Sequence, residues 1–122
     1  MSKIYWFSRH PLTNGQVATL QTAGYNEHEQ HNLMFNDQII EQIQQITDNK
    51  IIALVAPLSY GLILLRAGYT IIEFVNIPSA RQKGVFLCKG MNIHTLDKTR
   101  FIPCPLSEED QDKGNLNYEG RK

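Results

Sequence analysis

Ser8, Arg9 and His10 stand consecutively where the apolar run Ile4-Tyr5-Trp6-Phe7 ends and Pro11-Leu12-Thr13 begins. A hydroxyl, a guanidinium and an imidazole at three successive positions suit phosphate chemistry. Arginine offers phosphate oxygens a fixed fork of donors. Histidine moves protons near neutral pH. The plainer alternative is that Arg9 pairs with a carboxylate and His10 caps the next helix with Pro11, which makes the turn structural. A second group, Ser59-Tyr60-Gly61, follows Pro57-Leu58. Ser59 at a helix start directs a hydroxyl and backbone N–H groups toward an anion, a role that coexists with plain capping. Tyr60 is able to stack on a base or supply a hydroxyl. Asn76, Ser79, Arg81 and Lys83 lie beyond a later strand. Their loop either closes over the same crevice or is simply solvated.

Missing patterns narrow the chemistry. The chain has no GxGxxG, no GxxxxGK[ST] and no Gly-x-Ser-x-Gly. A dinucleotide cofactor, a P-loop and a hydrolase elbow are therefore disfavoured. No metal or cofactor is expected, because Glu73 falls inside a strand and Glu108 to Asp110 fall in the tail. His28, His31 and His94 show no partner and read as structural or exposed. Phosphodiester cleavage would then proceed without a metal, a ribose 2′-hydroxyl attacking its own 3′-phosphate. That route needs in-line positioning, charge stabilisation and one proton-transfer group. Ser8, Arg9, His10 and Ser59 are of the right types to supply them.

These residues need elements to hold them. Ile4 to Phe7 reads as a strand. Thr13 with Gln16 forms a capping-box pattern for a helix to Ala23, stopped by Gly24. His31 to Phe35 is a second, weaker strand. Asn36 or Asp37 caps a helix reaching Thr47, with Ile39, Ile40, Ile43 and Ile46 on one stripe. Lys50 to Ala56 is the clearest strand, apolar throughout as a central parallel strand covered on both faces should be. A helix from Ser59 to Ala67 ends at Gly68, and Thr70 to Val75 forms a fourth strand. Gly84 to Cys88 and Asn92 to Leu96 suggest a hairpin around Gly90, extended by Arg100 to Ile102.

This order predicts an α/β fold: a single Rossmann-like domain over residues 1–106, its mostly parallel sheet flanked by helices, plus a C-terminal hairpin. Residues 107–122 are polar and are expected to be disordered or loosely docked. With strand order 2-1-3-4 the sheet reverses between the first and third strands, and a crevice opens at their carboxyl ends. The Ser8-Arg9-His10 turn and the Pro57 to Gly61 loop meet there.

Bulk properties agree with a small ligand. Twelve basic and twelve acidic residues cancel, so no basic face for long nucleic acid is expected. No apolar stretch approaches the roughly 20 residues of a membrane span, and the strand-like start does not resemble a signal peptide. Cys88 and Cys104 lack metal-type spacing and read as free thiols of a cytoplasmic protein.

The opening Ile4-Tyr5-Trp6-Phe7-Ser8-Arg9-His10-Pro11-Leu12-Thr13, followed by Gln16 and Leu20, resembles the start of small CRISPR-associated ring nucleases. The likeness lies in the Ser-x-His-Pro-Leu-Thr pattern at Ser8, His10, Pro11, Leu12 and Thr13, and more loosely in Arg9. It spans about the first 20 residues; beyond them only the order of elements is shared. Phage-encoded proteins have similar openings. The resemblance implies a Rossmann-like homodimer that binds a cyclic oligoadenylate and cleaves it, switching off antiviral signalling. A relative that sequesters the messenger uncut is the alternative, as is a protein-interaction module in which Arg9 and His10 are structural.

Overall fold

A computed structural model describes the backbone of residues 3–119 and the side chains of residues 3–113. The elements run β1 (Lys3–Phe7), α1 (Asn14–Thr22), β2 (Glu27–His31), α2 (Ile39–Gln44), β3 (Ile51–Leu54), α3 (Leu58–Arg66), β4 (Thr70–Pro78), β5 (Phe86–His94), β6 (Thr99–Pro103) and α4 (Glu108–Glu119). The six strands form one mixed sheet in the order β2-β1-β3-β4-β5-β6. The β2–β1, β1–β3 and β3–β4 pairs are parallel, while β4–β5 and β5–β6 are antiparallel.

Strand alternation divides the core into two layers. Ile4 and Trp6 point to one face, where they meet Leu20, Ala53, Ile72, Phe74, Cys88 and Met91. Phe7, Ile52 and Leu54 point to the other and pack with Ile39, Ile43, Leu64 and Tyr69. Helix α1 therefore covers the first face, and α2 and α3 cover the second. The capping box at α1 is present in full: Thr13 Oγ1 accepts from the Gln16 N–H at 3.2 Å, and Gln16 Oε1 accepts from the Thr13 N–H at 3.0 Å. The stripe on α2 holds too, with Ile39 and Ile43 buried and Ile40 and Ile46 partly so.

Four expectations change. The second strand is the polar Glu27–His31, not His31 to Phe35. As a sheet edge it needs a hydrogen-bonded partner more than an apolar face, and its charged side chains discourage further pairing. Lys3 of β1 forms an ion pair with Glu29, and Lys3 first and His31 second hold the Glu29 carboxyl below its usual range. The third strand stops at Leu54, so Val55 lies beyond it and is 65% exposed. Gly90 does not turn a hairpin. It sits within the continuous strand β5 at φ 155°, and a Cβ there would strike the Ile102 carbonyl and the Phe101 ring. The reversal comes later, across residues 95–98, where the Thr95 N–H donates to the Lys98 carbonyl at 2.9 Å.

The fourth change is α4. Composition suggested a disordered or loosely docked tail, yet the backbone is helical over Glu108–Glu119, and Gln111 and Asp112 are buried. Gln111 uses its amide as a backbone mimic. Its Oε1 accepts from the Cys88 N–H at 2.8 Å and its Nε2 donates to the Cys88 carbonyl at 2.9 Å. Gly15 of α1 makes the space, since a Cβ there would collide with that amide. The side chains of Leu116 and Tyr118, and residues 120–122, lie outside the described residues.

Candidate functional site

Parallel pairing on both sides of β1 sends the chain out of the sheet at Phe7 beside the ends of β2 and β3. The turn that follows is pinned from several sides. The Ser8 N–H donates to the His31 carbonyl at 3.0 Å, and the Gln30 side chain donates to the Ser8 carbonyl at 2.8 Å. The Trp6 indole N–H, from inside the core, donates to the His10 carbonyl at 2.8 Å. Ser8 Oγ accepts from the His10 N–H at 3.1 Å. The backbone is thus held while the side chains of Arg9 and His10 stay exposed.

A cleft of about 220 Å³ opens at this turn, lined by Phe7, Ser8, Arg9, His10, Asn32, Leu33, Phe35 and Val55. Its far wall is the β2–α2 connection, which is also fixed. Gln42 of α2 accepts from the Met34 N–H at 2.9 Å and donates to the Met34 carbonyl at 2.8 Å. The Tyr60 hydroxyl donates to the Phe35 carbonyl at 3.0 Å, and the two rings lie 5.3 Å apart. Arg9 makes no ion pair among the described residues, and no carboxylate lines the cleft. The wall therefore combines an unneutralised guanidinium, an imidazole, a carboxamide at Asn32 and an aromatic ring at Phe35.

The structure brings Ser8, Arg9 and His10 together and sorts the other expected residues elsewhere. Pro57, not Ser59, is the N-cap of α3, without a side-chain cap bond; Ser59 is an exposed residue of the first turn. Tyr60 supports the cleft wall through Phe35 and does not line the cleft. Gly61 faces a different concavity of about 390 Å³ between α3 and the sheet, lined also by Leu54, Leu58, Leu62, Leu65, Ile71, Glu73 and His94. Asn76 lies within β4, which extends to Pro78, and its Oδ1 accepts from Gln16 Nε2 at 3.4 Å.

Arg81 and Lys83 are exposed on the β4–β5 connection, which is tied toward α4 and does not line the cleft. Ser79 Oγ donates to Asp112 Oδ1 at 2.8 Å, and Gln82 donates to the Asp112 carboxylate and carbonyl at 3.2 and 3.1 Å.

Asn32, Phe35 and Val55 are cleft residues that sequence reasoning missed. Val55 was hidden by the strand expected to run on to Ala56, whereas β3 stops at Leu54. Asn32 and Phe35 were hidden by the strand assigned over them. No single-sequence signal joins Glu73, His94 and Thr99, which meet only across three neighbouring strands: His94 Nε2 lies 2.8 Å from Glu73 Oε1, and its Nδ1 lies 2.8 Å from Thr99 Oγ1. Among the described residues no helix is long and apolar enough to cross a membrane. Comparison with protein-family models, curated proteins and solved structures gives no match.

Proposed function

We propose that the cleft at Ser8, Arg9 and His10 binds an anionic nucleotide, and specifically a cyclic oligonucleotide messenger such as cyclic oligoadenylate, in a Rossmann-like domain. The observation that carries this reading is the unneutralised Arg9 guanidinium beside His10, on a backbone pinned at the β1–β3 switch point of the sheet. Ligands of open α/β sheets gather at that point, outside the carboxyl ends of the strands. Arg9 supplies a fork of donors to a phosphate, Asn32 a neutral donor and acceptor, and Phe35 a face for a base. The opening motif and its resemblance to ring nucleases lend the cyclic ligand its identity.

The reaction on this reading needs no metal. The ribose 2′-oxygen attacks the adjacent 3′-phosphorus, its proton passing to His10 Nε2 or Nδ1. The 5′-oxygen leaves, taking a proton from water while the imidazolium formed at His10 returns its proton to solvent, and a 2′,3′-cyclic phosphate and a 5′-hydroxyl result. Arg9 stabilises the charge on the phosphorane oxygens. A cleft of about 220 Å³ takes one phosphoribosyl unit and not a whole ring. The rest of the ring would lie against a second copy, so a homodimer belongs to the same reading.

One observation favours sequestration without cleavage. The His10 ring has no hydrogen-bond partner among the described residues, whereas a general base is ordinarily oriented by a third group. Incubation with cyclic oligoadenylates of several ring sizes, with and without EDTA, separates the readings. Linear product in EDTA supports the nuclease. Tight binding of unchanged ring supports sequestration. Absence of binding at every ring size removes both and leaves the turn structural. Sedimentation with and without ring tests the dimer.

A further inference from the structure

The second concavity lies on the face of the sheet that α3 only partly covers. Leu54 and Ile71 form its buried floor, and Leu58 and Leu62 of α3 form an exposed rim. At about 390 Å³ it falls within the roughly 300–1,000 Å³ typical of small-molecule sites, which are likewise apolar with few polar groups. It shares no lining residue with the cleft at Ser8.

Two polar side chains face this groove, and their geometry defines what it lacks. Both ring nitrogens of His94 are engaged, one with Glu73 and the other with Thr99. The imidazole therefore offers a ligand only its face. Glu73 Oε1 is taken by that contact, but Oε2 has no partner among the described residues, and Glu73 is the only acidic residue in the lining. No lysine or arginine lines the groove, and the one basic side chain there, His94, meets Oε1 and not Oε2. The Glu73 side chain is 57% exposed, so Oε2 is open to solvent, and the group that would complement it is a cation or strong N–H donor attached to an apolar body.

We propose that the groove between α3 and strands β4 and β5 is a binding site for a small amphipathic amine. Its apolar body lies on Leu54, Leu62 and Leu65, and its ammonium donates to Glu73 Oε2. His94, braced by Thr99, holds the carboxylate in place as a positioning residue. The requirement is chemical: an alcohol of the same shape fills the groove without satisfying the charge, and a carboxylate of the same shape meets repulsion.

Three indole probes of matched body test this: tryptamine, tryptophol and indole-3-acetate, each titrated into the full chain while backbone amide resonances are followed. Tryptamine should bind tightest and indole-3-acetate weakest, with shifts mapping to α3, Ile71 to Glu73 and His94. Glu73→Gln keeps an acceptor and a similar shape; it should weaken tryptamine by about tenfold, the effect of one lost charge-assisted hydrogen bond, and leave tryptophol little changed. Gly61→Leu should weaken all three, because a Cβ at Gly61 meets open space and the added side chain fills the groove. The proposal is overturned if no probe binds, if the amine keeps its advantage in Glu73→Gln, or if shifts map to Ser8, Arg9 and His10. It is equally overturned if the groove resonances respond to protein concentration and not to probe, which would make the face a contact between copies.

Discussion

Arg9 and His10 occupy adjacent positions but are asked to do different work, and substitution separates them. Arg9→Ala removes a fixed pair of donors and should weaken binding of an anionic nucleotide by roughly ten- to a hundredfold, measured by titration calorimetry. His10→Ala should leave binding nearly intact and slow any turnover by on the order of a hundredfold, since proton transfer acts in the transition state. Equal behaviour of both variants to wild type would make the turn structural. Ser59→Ala should change neither quantity, because Ser59 is an exposed first-turn residue of α3 outside the cleft. The cysteines divide in the same way. Burial pushes the Cys88 thiol above its usual range, so it stays protonated near neutral pH, and its Sγ donates to the Gly90 carbonyl. Iodoacetamide followed by mass spectrometry should label the half-buried Cys104 first and reach Cys88 only when urea unfolds the chain. Equal labelling of both in the native protein would contradict this burial.

At the scale of elements, α4 shows how a polar segment becomes part of a fold. Its mean composition offers little apolar surface, and among the described residues two side chains hydrogen-bond it to the sheet and the β4–β5 connection. Gln111 satisfies both backbone groups of Cys88, while Asp112 gathers Ser79 and Gln82. Gln111→Ala strands a buried N–H and carbonyl and should cost about 2 kcal/mol or more in urea unfolding. Removing residues 107–122 should cost at least as much, although composition alone suggests that the deletion is silent. An unchanged unfolding midpoint in both variants would mean that α4 is not part of the cooperative unit. The β2–α2 connection is the corresponding device at the cleft. Gln42 and Tyr60, from two different helices, fix its backbone at Met34 and Phe35, and Phe35 lines the same cleft as Arg9.

For the molecule as a whole, neighbouring residues at the end of β3 test the layered architecture. Leu54 is 2% exposed in the layer covered by α2 and α3, whereas Val55 is 65% exposed at the cleft. Leu54→Asp buries an unpaired charge and should cost several kcal/mol, enough to unfold a marginally stable domain. Val55→Asp should leave the unfolding midpoint nearly unchanged and still weaken anion binding, because it sets a negative charge in the cleft that Arg9 lines. Thermal unfolding and titration on the same two proteins read both effects. A stable Leu54→Asp variant, or a Val55→Asp variant that binds as well as wild type, would break the link between sheet layer and cleft.

Much of this was legible in one sequence because it is local or periodic. The Thr13–Gln16 capping box, the glycines after α1 and α3, the isoleucine stripe of α2 and the apolar runs of β1 and β3 follow from contacts within a few residues. Element order then restricts how parallel strands are arranged, and the 2-1-3-4 core of the sheet appears as expected. What local pattern could not carry was decided by partners distant in the chain. Glu27–His31 is a strand because β1 offers its open edge, despite a polar sequence that predicts none. Residues from Glu108 form a docked helix because Cys88, Ser79 and Gln82 present unmet hydrogen-bonding groups more than twenty positions away. Gly90 stays in a strand because Phe101 and Ile102 of β6 pack against the space a side chain would fill. The polar end of the groove at Glu73 exists only because three strands set a carboxylate, an imidazole and a hydroxyl side by side. Propensity and periodicity act over a single turn or strand. A hydrogen bond between residues far apart in sequence exists only after the chain has closed, so tertiary structure alone decides it.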